Sequence, residues 1–98
     1  MNSLIINAIE NRNLLRFYYK DHLRVVEPHA YGKTSKGNEI LRAYQVDGTS
    51  DSGSVPDWRL FSINKIERLT VLFDDTFLKP RIGYKSGDSA MDIIYCEL

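Results

Sequence analysis

Basic residues crowd the first third of the chain, where they are mixed with tyrosines. Between residues 12 and 36, six basic side chains face only two acidic ones, and Tyr18, Tyr19 and Tyr31 lie in the same stretch. Cations that bind phosphate and flat rings that stack on bases are what recognition of a nucleotide or a single strand requires. This stretch therefore predicts a local site for a phosphate-bearing ligand.

Strand alternation orients two further arginines. Arg42 and Tyr44 share one face of a predicted strand, and Arg59 shares a face with Phe61 on the next. A guanidinium beside core residues must meet an anion or reach the rim of the fold. We therefore expect Arg24, Arg42 and Arg59 to converge on an anion pocket. The predicted ligand-binding residues are Arg24, Arg42, Arg59, Tyr19, Tyr31 and Tyr44.

A purely structural interpretation of the same residues stays open. In it, the arginines pair across neighbouring strands with Glu27, Glu39 and Asp57. The tyrosines then pack in the core or at its rim, because aromatic side chains dominate small cores. We assign Trp58 to packing against the preceding loop, with a role as a ligand lid as the alternative.

The motifs of catalytic and metal sites are incomplete in this sequence. Residues 32–34 resemble the end of a phosphate-binding loop, but Glu27 stands where the first glycine is needed. The lone Cys96 has no neighbouring histidine in the sequence and cannot form an internal disulfide. His22 lies in a predicted turn and His29 follows a proline, so we expect both to be ordinary surface residues. We predict no enzymatic activity, no metal site and no cofactor.

Length and composition predict one folded domain. The chain has 98 residues, of which 43% are hydrophobic and 27% charged. Its 13 basic and 13 acidic residues give a formal charge of zero, so no global field draws it to DNA or to an anionic membrane. Because signal-peptide features are absent and cysteine is scarce, we expect a cytoplasmic protein without a membrane role. So small a core leaves little surplus stability, and we therefore expect a homo-oligomer.

Local patterning predicts a short helix, capped by Ser3 and ending near Asn11, followed by a β-meander. Regularly spaced short strands favour a small β-barrel. Pro28 is expected to end the second strand or to push it to an edge, and a mobile loop is expected over 47–57. The predicted strands cover residues 14–20, 23–27, 39–46, 58–64 and 66–73.

The last quarter of the chain carries weaker signals. Residues 74–80 are typical of a connector, 83–88 of a turn, and 91–98 of a last strand. We predict a single domain over 1–98, mostly β with a short N-terminal helix. In this prediction the helix and an Sm-like barrel of about five antiparallel strands occupy 1–73, and a tail with a short strand occupies 74–98.

Five short groups of residues follow one another along the chain. They are Ala8 and Ile9; Leu15, Phe17 and Tyr19; Arg24, Val26, Glu27 and Pro28; Leu41, Ala43 and Tyr44; and Arg59, Phe61, Ile63, Ile66 and Leu69. In this order, over about residues 5–72, the chain resembles the WYL domain family. Of the tripeptide that names the family only Leu41 is present, because Glu39 and Ile40 stand where tryptophan and tyrosine are expected.

The resemblance implies an Sm-like barrel led by a short helix and a non-catalytic regulatory role. Members are ligand-sensing modules, often joined to a DNA-binding helix-turn-helix in bacterial transcription factors and found near phage-defence systems. Several bind nucleotides or single-stranded nucleic acid through basic residues. Because only residues 1–11 precede the strands, we expect a stand-alone domain that acts with a regulator protein in trans.

The sequence leaves open one alternative function of a different class. The basic patch and the strand edges also suit an assembly subunit that meets a partner protein or a second copy without any small ligand.

Overall fold

The computed structural model describes residues 1–98, in which one helix is followed by six strands. The protein is therefore mostly β with a short N-terminal helix, as the sequence predicts. The elements are α1 (Ser3–Asn11), β1 (Asn13–Tyr19), β2 (His22–Lys33), β3 (Glu39–Gly48), β4 (Asp57–Ser62), β5 (Glu67–Thr76) and β6 (Ile93–Glu97), with a 3₁₀ turn at Ile63–Lys65.

Helix α1 begins one residue earlier than the capping prediction. The side-chain oxygen of Asn2, rather than that of Ser3, accepts hydrogen bonds from two amides of the first turn. The apolar face carries Ile5, Ala8 and Ile9, all buried against the sheet. The helix therefore covers one side of the β-structure, as its 3.6-residue period requires.

All strands pair antiparallel in the order β4-β3-β2-β1-β5, and β6 pairs with the second half of β2. β4 and β5 are edges that do not pair with one another, so the sheet is not closed. The antiparallel pairing of β1 to β4 in chain order is confirmed, but β5 lies beside β1 and not beside β4 as a five-strand meander requires. The barrel predicted from strand spacing is not closed by hydrogen bonds.

Pro28 does not end β2, which is a correction to the sequence prediction. The strand runs 12 residues, with β1 beside its first half and β6 beside its second. Pro28 lies between these two partners, next to a register shift in the ladder with β3. A proline is tolerated at such an irregularity because the ladder there already lacks a regular hydrogen bond.

One face of the sheet, here called the inner face, holds the main core. Phe61 packs edge-on against Phe17 and Tyr19, with ring centroids 4.9 Å apart in both pairs. Leu41 and the apolar face of α1 join the same buried cluster. This packing fixes the ends of β1, β3 and β4 relative to one another.

The opposite, outer face of β2, β3 and β4 is covered by the end of the chain. β5 continues to Thr76, so the tail begins at Phe77, later than predicted. The tail crosses the outer face and returns as β6, close to the last strand predicted from the sequence. It buries His29 completely, so the expectation that His29 is a surface residue is wrong. Local patterning could not reveal this, because the covering residues lie about fifty positions further along the chain.

Candidate functional site

A cleft of about 430 Å³ opens between the tail and the outer face, here called the outer-face cleft. Its volume falls in the range of roughly 300–1,000 Å³ typical of small-molecule sites. Polar groups predominate in its lining, and two aromatic rings stand among them. The lining residues are Arg42, Trp58, Gly83, Tyr84, Lys85, Ser86, Gly87, Asp88 and Ser89.

Close contact between the tail and β4 shapes the cleft. The indole Nε1 of Trp58 donates a hydrogen bond to the backbone oxygen of Ile82 at 3.1 Å. Gly83 follows with φ +95°, and a Cβ at this position would lie 3.0 Å from that indole nitrogen. Only glycine combines this backbone conformation with so close an approach. The Trp58 ring is thereby held at the wall of the cleft.

The charged groups of the cleft differ in whether they have a partner within the protein. Asp88 accepts hydrogen bonds from Arg42 Nε at 2.7 Å and Nη2 at 3.3 Å. These bonds hold the pKa of the Asp88 carboxyl below its usual range. Lys85, by contrast, forms no salt bridge, and the hydroxyls of Ser86 and Ser89 make no hydrogen bond within the protein. A lysine and two hydroxyl groups thus stand free beside two rings.

An ion pair between a buried carboxylate and a half-exposed arginine anchors the tail beside the cleft. Glu27 accepts two hydrogen bonds from Arg81, at 2.7 Å from Nε and 3.0 Å from Nη2. This bidentate pair raises the pKa of Arg81, and the same guanidinium lies 5.0 Å from the centre of the Tyr44 ring. Bidentate pairing of this kind fixes both position and orientation. Arg81 therefore sets where the turn at Gly83 begins.

His29 completes this anchor. Its Nδ1 donates to the backbone oxygen of Glu27 at 2.7 Å, and its Nε2 accepts from the backbone N–H of Arg81 at 3.1 Å. Phe77 stacks on the ring, and Trp58 meets it edge-on with centroids 4.7 Å apart. Burial lowers the pKa of His29, so the neutral ring with the proton on Nδ1 is the form that fits.

Two of the predicted site residues, Arg24 and Arg59, lie on the inner face at one end of the sheet. Arg24 is only 4% exposed and packs over the rings of Tyr19 and Phe61. Its Nη1 donates to Gln45 Oε1 and its Nη2 to the backbone oxygen of Tyr19, each at 3.1 Å. Its Nε has no partner.

Arg59 is held by the loop before β4, residues 49–56, here called the serine loop. Its Nη2 donates to Ser50 Oγ at 3.0 Å, to Ser52 Oγ at 3.3 Å and to the backbone oxygen of Ser54. Asp57 Oδ2 lies 3.4 Å from Nη1. The structural interpretation of the sequence paired the predicted arginines with Glu27, Glu39 and Asp57. Only Asp57 pairs with one of them. Glu27 binds Arg81 instead, and Glu39 faces the N-terminus.

The third arginine lies on the opposite face, so the three do not meet in one pocket. Ala43 stands opposite Arg59 in the register of β3 and β4. Arg42 is the next residue to Ala43 and therefore points the other way, toward the tail. Alternation correctly paired Arg42 with Tyr44 and Arg59 with Phe61. It did not reveal that these pairs occupy different faces.

The predicted tyrosines are also divided between the faces. Tyr44 lies on the outer face, with its ring 5.4 Å from that of Trp58. Tyr19 is in the core, where its hydroxyl accepts a hydrogen bond from the backbone N–H of Ser62. Tyr31 is fully buried and donates to a Glu39 oxygen, and burial raises its pKa to about 12. Neither core ring has a face free for a base.

Sequence reasoning missed the cleft residues Tyr84, Lys85, Ser86 and Ser89, which it assigned to a turn and the chain next to it. The available signal was composition, since glycines, hydroxyls and a lysine in one short segment are typical of anion-binding loops. The sequence did not show that Trp58 and Arg42 form the wall of the cleft opposite that segment.

No three His, Cys, Asp or Glu side chains are clustered so as to hold a metal ion. The nine-residue α1 falls well short of a bilayer span, and no other helix is long and apolar enough for one. Comparisons with protein-family models, with curated proteins and with solved structures find no match to the chain. The resemblance to WYL domains therefore stays a prediction.

Proposed function

We propose that the protein is a non-catalytic regulatory module that binds a phosphate-bearing ligand, a nucleotide or a short single strand, in the outer-face cleft. One observation carries the proposal: the unpaired cation of Lys85, the free hydroxyls of Ser86 and Ser89, and the rings of Trp58 and Tyr84 line one cleft of about 430 Å³. Cations and hydroxyls suit phosphate, and rings suit bases.

In the proposed complex, phosphate lies at the Lys85 side of the cleft. The ammonium supplies a point charge, and the serine hydroxyls donate hydrogen bonds to phosphate oxygens. Arg42 adds its Nη1 hydrogens, because Asp88 engages only Nε and Nη2. Asp88 would repel phosphate if it stood alone, but its pairing with Arg42 offsets its charge.

The base lies against the aromatic side of the cleft. Trp58 and Tyr84 are both half-buried, so part of each ring faces the opening. Stacking on an aromatic ring contributes about 1–3 kcal/mol per base and tolerates any base, since every base has a flat face. We therefore expect affinity for phosphate-bearing ligands with little base selectivity.

The wider assignment follows the WYL resemblance and belongs to the same proposal. It comprises a regulatory role in bacterial transcription or phage defence, a cytoplasmic location and a regulator protein in trans. The Sm-like barrel belongs here too: β1 already lies between β2 and β5, and closure requires the edges of β4 and β5 to approach one another.

A second candidate function is assembly without a small ligand. It is favoured by the two open edges and by large apolar side chains that face solvent. Phe73 is 73% exposed, Leu78 88% and Ile82 98%. Light scattering at two protein concentrations tests this alternative, which predicts a mass above that of one chain.

Fluorescence anisotropy of labelled AMP and of a labelled oligonucleotide tests the main proposal. We expect binding that weakens steeply between about 50 and 200 mM salt for the oligonucleotide. Lys85→Ala should weaken binding of both probes at least about fivefold, because it removes the unpaired cation. Lys65→Ala, an exposed lysine on the 3₁₀ turn away from the cleft, is the matched control and should leave binding unchanged. No anisotropy change at low salt would remove the proposal.

A further inference from the structure

The inner face carries a buried cation that forms no salt bridge. Arg24 is 4% exposed, and its two bonded nitrogens meet only neutral oxygens. The rings of Tyr19 and Phe61 lie beside the guanidinium, but its Nε is buried without any acceptor. Arginine cannot escape this situation by losing its proton, as a lysine or a histidine would. A buried cation without a carboxylate is only partly compensated, so it marks a place where an anion or water belongs.

A second guanidinium lies close by on the same face. Arg59 lies in β4, two residues before Phe61, whose ring centre is 5.7 Å from Arg24 Cζ. Burial and then the nearby charge of Arg59 lower the pKa of Arg24. Asp57, at 3.4 Å from Arg59, is the single carboxylate paired with either arginine. Asp51 is bonded to His22 at 2.8 Å, and its charge acts on Arg24 without direct contact. Two cations therefore share this end of the sheet with one directly paired carboxylate, Asp57, and a second, Asp51, that pairs with neither.

The serine loop presents a set of oxygens to Arg59. Ser50 Oγ, Ser52 Oγ and the backbone oxygen of Ser54 all accept from the same Nη2. Two hydrogens on one nitrogen cannot satisfy three acceptors well. The oxygens of a bound anion would replace some of these neutral acceptors. The hydroxyls of Ser50 and Ser52 are hydrogen-bonded to one another at 2.9 Å, so both lie close enough to face one bound group.

We propose that Arg24 and Arg59, covered by the serine loop, form a site for a small free oxyanion of the inorganic phosphate class. The anion accepts hydrogen bonds from both guanidinium groups, and the serine hydroxyls change from acceptors to donors. The enclosure favours a free ion over a phosphate attached to a nucleoside, because Arg24 is buried and the Arg59 side chain is only 14% exposed. This site lies on the face opposite the outer-face cleft and is independent of the function proposed for it.

Thermal unfolding of the full chain with added inorganic phosphate tests the site, with sodium chloride matching the ionic strength. A ligand that binds only the folded state raises Tm. At phosphate several times its Kd, we expect a rise of about 4–8 °C for a domain of this size. Arg59→Gln should abolish the rise, and Arg24→Met should do the same where it folds. Lys85→Ala should keep it, since that lysine belongs to the other face.

Each alternative result overturns the proposal in a recognisable way. No rise in the wild-type protein means that no oxyanion binds. A rise that survives in Arg59→Gln but disappears in Lys85→Ala assigns phosphate to the outer-face cleft. The rise in Tm on adding AMP is the last measurement, and it should be the same in Arg59→Gln as in the wild-type protein. Its loss in Arg59→Gln would show that the site at Arg24 and Arg59 holds the phosphate of a larger ligand. Failure of AMP to bind at all leaves the phosphate result intact.

Discussion

Two buried charges on opposite faces of the same sheet are treated in opposite ways. Glu27, on the outer face, accepts hydrogen bonds from Nε and Nη2 of Arg81 in a bidentate pair. Arg24, on the inner face, meets no carboxylate and keeps one nitrogen without an acceptor. The first charge holds the tail on the sheet. The second contributes nothing comparable to the fold, and this difference separates a structural ion pair from a candidate binding group.

Breaking the outer-face pair should produce the largest effect. Arg81→Ala leaves the Glu27 carboxylate, whose side chain is only 6% exposed, without its partner. Stranding one member of a fully buried pair costs about 3 kcal/mol or more, but the Arg81 side chain is 47% exposed, so water screens part of this interaction. We therefore expect the free energy of unfolding in urea to fall by about 2 kcal/mol. Arg16→Ala, an exposed arginine without a salt bridge, is the control and should change it by less than about 0.5 kcal/mol. A loss below about 1 kcal/mol in Arg81→Ala would contradict the role assigned to the pair.

Removing the inner-face charge should have a smaller effect. Arg24→Met fills the space over the Tyr19 and Phe61 rings with an apolar chain and removes an unpaired buried cation. The variant also leaves Gln45 Oε1 and the backbone oxygen of Tyr19 without a donor, so two lost hydrogen bonds offset the gain from removing a buried charge. We expect the free energy of unfolding, without phosphate, to change by less than about 1 kcal/mol in either direction. A loss comparable to that of Arg81→Ala would erase the contrast between the two faces.

The outer-face anchor should also depend on pH through His29. Burial lowers its pKa in the folded protein, while the unfolded chain titrates near pH 6.5. Below that value the unfolded chain binds more protons than the folded one, so stability decreases as pH falls from about 6.5 toward the lower folded pKa. The slope is at most about 1.4 kcal/mol per pH unit. Arg81 and Tyr84 also face the ring, and the pKa of each is raised above its already high usual value, so neither titrates in this window.

Unfolding in urea at pH 7.5 and pH 5.5 measures this dependence. His22→Gln should retain the pH effect, because His22 is partly exposed at the other end of the sheet. His29→Gln should lose it. Equal stability at both pH values in the wild-type protein would be inconsistent with a neutral, buried His29.

How far the sequence predicted this molecule depends on the range of the interactions. Helix α1, the hairpin near Lys20 and the final strand follow from local periodicity and turn residues, and all are present. The extent of β2 was not foreseen, because the strand passes Pro28 only with the help of β6 from the far end of the chain. Local conformational preference determined which helices and strands form, and long-range strand pairing determined where they begin and end.

The same distinction explains the site. Alternation placed Arg42 with Tyr44 correctly within one strand, but the face was decided by the register with β4, in which Ala43 opposes Arg59. The cleft required the tail to fold back over the outer face, a contact between residues that are distant in the chain. The residue types indicated binding of a phosphate-bearing ligand, whereas the location of the candidate site became visible only in the tertiary structure.

The smallest effect on stability is expected at the cleft itself. Lys85→Ala removes an exposed side chain without a partner, so the free energy of unfolding should change by less than about 0.5 kcal/mol. Its effect should instead be confined to ligand binding. A clear loss of stability in urea would mean that Lys85 supports the tail and is not free for a ligand.

Trp58 allows the most direct test of ligand binding in the outer-face cleft, because it is the chain's single tryptophan and forms part of the cleft wall. At low salt, we predict a saturable change in its fluorescence on titration with AMP. Lys85→Ala should weaken the response and Lys65→Ala should leave it intact. Unchanged fluorescence throughout the titration of the folded wild-type protein would contradict binding of a phosphate-bearing ligand against this ring.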